Sequence, residues 1–122
     1  MTGETKQAVK AWSAEKLSVE GLLAAGGGFP DGDVFTTFIA PEFVLAHNEE
    51  VWRAIGTALT KARDSGAACD ELRWSFEGAS LLTACRKDGT WLGVFLPLES
   101  ASDSAGTVRA RLGEFTSFVF PA

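Results

Sequence analysis

His47 is the single histidine of the chain. Any Ser-His-Asp or Cys-His arrangement would have to be built around it, because such mechanisms use an imidazole to move the nucleophile's proton. No Gly-x-Ser-x-Gly elbow accompanies it. It directly precedes Asn48, a residue suited to cap a helix, so a local turn role is expected. A metal site needs several His, Cys or carboxylate ligands at matching spacing. One histidine, scattered acids and two cysteines without metal-type spacing, Cys69 and Cys85, do not supply it.

The acid pairs Asp31/Asp33 and Glu49/Glu50 invite calcium or acid–base chemistry. The EF-hand spacing is missing, however, and acids in a first helical turn suit the positive end of the helix dipole. The run Gly26-Gly-Gly-Phe-Pro-Asp-Gly32 suggests a phosphate loop, yet no Gly-Lys-Ser/Thr leading into a helix follows it. It reads instead as hairpin turn chemistry. The expectation is a non-enzyme without cofactor or metal. Of the four tryptophans, Trp12, Trp52 and Trp74 fall on core or interface faces and Trp91 on a mixed face. Core packing accounts for most of them, although tryptophan is also common at binding hot spots.

A chain of 122 residues, 46% apolar and 22% charged, is expected to fold as one domain spanning residues 1–122. Its net charge is −5, with eleven basic residues scattered among sixteen acidic ones, which disfavours nucleic acid and anionic membrane surfaces. No apolar run approaches the roughly 20 residues of a membrane span. The first ten residues lack a signal peptide's apolar segment. A cytoplasmic setting with reduced thiols is expected.

The elements that position these residues follow from periodicity and turn signals. Glu4 to Lys16 reads as a helix, Val19 to Ala25 as a strand, and Val34 to Ile39 as the returning strand of a hairpin. Glu49 to Ser65 reads as a helix capped by Asn48, with Gly66 as its stop. At about 100° per residue, Ala54, Ala58, Val51, Ala62, Ile55, Leu59 and Trp52 form an arc of about 160°. That is wider than one core contact requires. Its Ala54/Ala58 edge is small, which lets a second helix approach closely.

Glu71 to Glu77, Ser80 to Lys87 and Thr90 to Pro97 read as a three-strand meander. With Gly78-Ala79 and Asp88-Gly89 as two-residue loops, one face carries the rows Phe76/Leu81/Leu96, Trp74/Thr83/Val94 and Leu72/Cys85/Leu92. The other carries Ser75/Leu82/Phe95, Arg73/Ala84/Gly93 and Glu71/Arg86/Trp91. The last two strands are then largely apolar on both faces and central. The first, with Leu72, Trp74 and Phe76 on one face and polar residues on the other, is an edge open to pairing. Cys85 falls opposite Leu72 rather than Cys69, which disfavours a disulfide. Ser102 to Val119 reads as a closing helix with Val108, Leu112, Phe115 and Val119 on one face.

This order, helix, two strands, helix, three strands, helix, resembles the roadblock / dynein light chain family. Val19-Glu-Gly-Leu-Leu23 is similar to the family's first strand, and Gly28-Phe-Pro30 to the turn after it. Val51 to Ala62 matches the long central helix, and Leu72 to Gly78, Ser80 to Arg86, Asp88-Gly89 and Trp91 to Leu96 match the meander. The resemblance covers about Thr5 to Phe118 through short motifs. Gly26-Gly27 replaces the usual acidic turn, and the stretch from Asp31 to His47 is longer than usual, so the first hairpin turns either at Gly26–Gly28 or at Asp31–Gly32.

The resemblance implies an α+β domain of the profilin-like/roadblock kind, three layers α/β/α around a five-stranded antiparallel sheet. It implies a dimer, with itself or with a paralogue, formed by the edge strand and the central helix, the homodimer being the leading expectation, and a role as scaffold or regulator of a small Ras-like GTPase or a signalling or motor complex, with no catalytic residues of its own. On this chain the dimer patch would be Ala54, Ala58 and Ala62 of the helix with Leu72, Trp74 and Phe76 of the edge strand. A rival of another class is a small-molecule sensing domain of profilin/PAS-like architecture, with an aromatic-lined pocket between sheet and terminal helices.

Overall fold

A computed structural model describes residues 2–65, 72–76, 78–97 and 102–120, with 72–76, 102 and 103 described by backbone alone. The elements are α1 (Gly3–Lys16), β1 (Ala24–Gly28), β2 (Val34–Ile39), a short 3-10 helix (Val44–His47), α2 (Glu49–Asp64), β3 (Leu72–Phe76), β4 (Ala79–Cys85), β5 (Trp91–Pro97) and α3 (Ser102–Ser117). The chain is an α+β domain with three helices and an antiparallel sheet, in the strand order β2-β1-β5-β4-β3.

Both long N-terminal helices begin on a side-chain cap, which satisfies amide groups that have no intrahelical partner. Thr2 Oγ1 accepts from the Thr5 amide at 3.1 Å, and Asn48 Oδ1 accepts from the Glu50 amide at 3.0 Å. α1 buries Val9 and Trp12, and α2 buries Trp52, Ile55 and Leu59.

The first strand differs from expectation. Val19 to Ala25 was the expected strand, but β1 starts at Ala24 and runs through the three glycines. Gly26, Gly27 and Gly28 pair with Thr36, Phe35 and Val34 on one side and with Gly93, Leu92 and Trp91 on the other. Their lack of side chains suits a strand pressed by neighbours, a setting in which glycine is common despite its turn preference. The hairpin turns at Pro30–Gly32. There the Phe29 amide donates to Asp33 O at 2.9 Å, the Gly32 amide donates to Phe29 O at 3.0 Å, and Gly32 adopts φ +95°.

The meander also differs in register. β3 pairs Leu72 with Thr83, Trp74 with Leu81 and Phe76 with Ala79, two residues from the expected alignment. A shift of two keeps every residue on its face. The β4–β5 shift is of one residue, because the loop has three residues rather than two. The Arg86 amide donates to Thr90 O at 2.8 Å, the Gly89 amide donates to Arg86 O at 3.0 Å, and Gly89 sits at φ +97°. This is a type I turn followed by a left-handed residue. A slip of one residue exchanges the two faces of β5, so the pairs are Leu81/Phe95, Thr83/Gly93 and Cys85/Trp91.

The corrected faces account for the two cores. On the α1 and α3 side, Val9, Trp12, Leu82, Val94, Leu96, Val108, Leu112 and Phe115 pack together. On the α2 side, Trp52, Ile55 and Leu59 pack with Leu81, Cys85, Trp91 and Phe95. α3 keeps Val108, Leu112 and Phe115 buried, whereas Val119, expected on the same face, is exposed. Val119 lies beyond the end of the helix at Ser117.

Candidate functional site

Helix α2 carries three unlike flanks. Trp52, Ile55 and Leu59 face the sheet and are buried. Ala54 is exposed, and Ala58 and Ala62 are half-buried beside that core, with Ala62 packed against it. The third flank, holding Arg53, Thr57, Thr60 and Lys61, is exposed.

Of the expected dimer residues, Ala54, Ala58 and Ala62 therefore lie along one flank at helical spacing. Leu72, Trp74 and Phe76 hold backbone positions in β3, which ends the sheet opposite Thr83, Leu81 and Ala79 of β4. Leu81 and Ala79 belong to the α2-side core. The strand edge and the helix thus flank one core, and among the described residues β3 presents its second edge to no other strand.

A groove of about 530 Å³ opens between α2 and the two hairpin turns, with Phe29, Pro30 and Gly32 on one wall and Gly56, Thr57 and Thr60 on the other. Trp91 forms its base, and Arg53, Lys61 and Arg63 stand along it. Trp91, expected on the mixed face opposite Arg86, instead lies against α2 because of the longer turn. A Cβ on Gly28 would fall 2.4 Å from Trp91 Nε1, and one on Gly56 would fall 3.1 Å from it. Both glycines thus make room for the indole. The sequence signal for this groove, a polar stripe at 53, 57, 60 and 61, is indistinguishable by pattern from an ordinary solvated helix face.

The first hairpin is tied to α1 electrostatically. Lys6 Nζ donates to Asp31 and, at 2.8 Å, to Asp33 Oδ2. The hydrogen bond to Asp31 is the main cause that raises the Lys6 pKa, and the same bond lowers that of Asp31. This pair of acids is therefore engaged by a lysine. Glu49 and Glu50 occupy the first turn of α2, where Glu49 meets Arg53 at 3.1 Å.

His47 Nε2 lies 3.3 Å from Ala40 O, a local contact within the loop before α2. Cys85 is buried, and Cys69 lies outside the described residues. Among the described residues no three His, Cys, Asp or Glu side chains gather as a metal cage, and no helix is long and apolar enough to cross a membrane. The interior between the sheet and α1/α3, where a sensing domain would keep its pocket, holds Val9, Trp12, Val94, Val108 and Phe115, all buried.

No family model matches the chain, and no curated protein matches it either.

Proposed function

We propose that this chain is a non-enzymatic homodimer, of the roadblock / dynein light chain kind, that acts in the cytoplasm as a scaffold or regulator for a small Ras-like GTPase. The observation that carries the dimer is β3 at the end of the sheet, joined through one core to a helix whose small-residue flank runs from exposed Ala54 to half-buried Ala58 and Ala62. An open strand edge supplies unpaired amide and carbonyl groups for a twin strand. Small side chains beside it let a twin helix come close. The element order supports the same profilin-like, three-layer reading. The GTPase is supported by the family resemblance.

Sedimentation velocity at micromolar concentration tests the dimer. The wild-type chain is expected to sediment as a dimer, and the pair Ala54→Glu/Ala58→Glu as a folded monomer. Both positions tolerate glutamate in a helix, so lost association rather than lost folding is the readout. A monomeric wild type sinks the proposal. The GTPase is tested by gel filtration with the GTP-loaded small GTPase encoded nearest this gene, where coelution that depends on GTP is expected and independent migration overturns it.

A further inference from the structure

The outer edge of β2 meets no other strand among the described residues, because β2 ends the sheet on the side away from β3. In an antiparallel pair, residues bonded to the neighbouring strand alternate with residues whose amide and carbonyl groups point away from it. The Phe29 amide donates to Asp33 O at 2.9 Å, and the Ala40 amide to Leu23 O at 2.8 Å. The register irregularity opposite Ala25 and Gly26 falls between these two bonded pairs. Counted inward from each pair, Val34, Thr36 and Ile39 direct their backbone groups outward.

Natural edges are blunted by charge, by proline or by a covering segment. Val34-Phe-Thr-Thr-Phe-Ile39 carries no charge and no proline, and Thr36 and Phe38 are exposed. Phe38 stands opposite Ala25, on the α1/α3 side of the sheet, and is 48% exposed. On the α2 side, a cleft of about 200 Å³ opens beside the edge, between Val34, Thr36 and Ile39 and a wall that includes His47 and Glu49. Thr36, His47 and Glu49 are exposed there. The space suits one side chain, since a cavity of roughly 150 Å³ holds a benzene molecule.

Charge decides which strand fits. From Asp31 to Glu50 the chain has the acids Asp31, Asp33, Glu42, Glu49 and Glu50 and no lysine or arginine. Lys6 meets the first two, and Arg53 meets Glu49. Glu42, just past the end of β2, and Glu50, beside the cleft, are exposed and have no ion-pair partner among the described residues. A second copy paired at this edge would bring two acidic surfaces together, and like charges across an interface oppose association.

We propose that the outer edge of β2 binds an extended basic peptide segment of another protein. The segment adds a strand to the sheet, seats one apolar side chain in the cleft, and turns its lysines or arginines toward Glu42 and Glu50. β2 and β3 lie at opposite ends of the sheet. The site therefore goes beyond the dimer reading and stands or falls separately from it.

Amide NMR of the full-length chain tests this with three end-blocked peptides. They are KRVTLTVRK, its acidic counterpart EEVTLTVEE, and KRVPLTPRK, whose prolines remove a ladder donor whichever edge of the peptide pairs. With the first, saturable shifts are expected at Val34, Thr36, Ile39 and His47, together with slowed exchange of the Thr36 amide. Half-saturation is expected below about 1 mM, with the other two peptides at least about tenfold weaker. Thr36→Pro removes an outward donor at an edge position, where proline is tolerated, and should abolish binding while amide dispersion is retained. If that variant unfolds, Glu42→Lys/Glu50→Lys takes its place and should turn the preference toward the acidic peptide. The proposal is overturned by no saturation at about 1 mM, by equal affinity for the acidic or the proline peptide, by shifts that map to β3 instead, or by unchanged binding in a folded variant. Concentration-dependent shifts of the β2 amides without peptide assign the edge to a second copy and overturn it as well.

Discussion

The rings of Trp52 and Trp91 face each other on the α2 side of the sheet, with centroids 6.4 Å apart and planes inclined by 22°. Trp52 also meets Phe95 edge-on at 5.5 Å, and its indole N–H donates to Ala46 O at 2.9 Å. One helix residue thereby joins the 3-10 turn, β5 and the floor of the groove. The arrangement depends on space left by Gly28 and Gly56 and on the three-residue turn that sends Trp91 to this face. Such aromatic pairs contribute about 0.5–1.5 kcal/mol beyond the area they bury.

Gly28→Ala places a Cβ 2.4 Å from Trp91 Nε1 and 2.7 Å from its Cε2. Both are atoms of a rigid, buried ring, so either the indole or β1 must shift. A loss of about 1–3 kcal/mol in urea unfolding is expected, together with a changed near-UV signal from the tryptophan pair. A loss under about 0.5 kcal/mol with an unaltered spectrum would contradict this account of the ring's confinement.

Two glycine-to-alanine changes should have opposite signs. Gly89 has φ +97° and its Cβ would meet Arg63 and Pro30 at 3.2 Å, so Gly89→Ala should cost about 1–2 kcal/mol. Gly113 lies exposed in α3 with open space around its missing Cβ, so Gly113→Ala should stabilise by about 0.5–1 kcal/mol. Parallel thermal and denaturant unfolding of the two variants checks the pair.

Arg86 fastens the end of α3 to the sheet. Its Nη1 donates to Phe115 O, and its guanidinium lies 5.2 Å from the Phe115 ring centre and 4.9 Å from that of Phe120. Arg86→Ala is expected to remove about 1.5–3 kcal/mol and to speed amide exchange from Glu114 to Phe120. Arg86→Lys should recover little of it, because an ammonium cannot stack as a planar guanidinium does. Full recovery by lysine would show that charge alone is at work.

The Lys6–Asp31 link predicts a pH window. The Asp31 carboxyl is held below its ordinary 3.8, chiefly by its hydrogen bond from Lys6. Its share of stability is complete above that value and is lost as pH falls through the lower folded pKa. Lys6 is raised above 10.5, chiefly by Asp31, so its share is complete below 10.5 and is lost as pH rises through the higher folded value. The Tm gap between wild type and Lys6→Met should therefore be level from about pH 5 to 9 and close at both extremes. High salt should narrow it throughout. A gap that widens in acid contradicts the link.

The sequence made α2 and β2 legible because their signals are local. Asn48, the Glu49/Glu50 first turn and the Trp52/Ile55/Leu59 spacing mark the helix, and Val34 to Ile39 carries β-branched and aromatic residues throughout. The end of β1 was not legible, since Gly26 to Gly28 have turn composition and only their neighbours on both sides make them a strand. The faces of β5 were lost to a single residue: Asp88-Gly89 signals a hairpin but not whether Lys87 joins its loop. The small flank of α2 was readable from periodicity. The groove was not, because its walls come from three segments that only the fold brings together.

The glycine run of β1 has a consequence at the level of the gene. Every single-base missense change in a glycine codon introduces a residue with a Cβ. At Gly26 and Gly27 that atom would lie 2.4 Å from Phe35 O and 2.2 Å from Trp91 O, both backbone atoms. Neither can swing aside as a side-chain tip would. Three successive codons should thus accept silent third-base changes and almost nothing else, whereas the codons for Gly106 and Gly113, with open space around them, should drift freely.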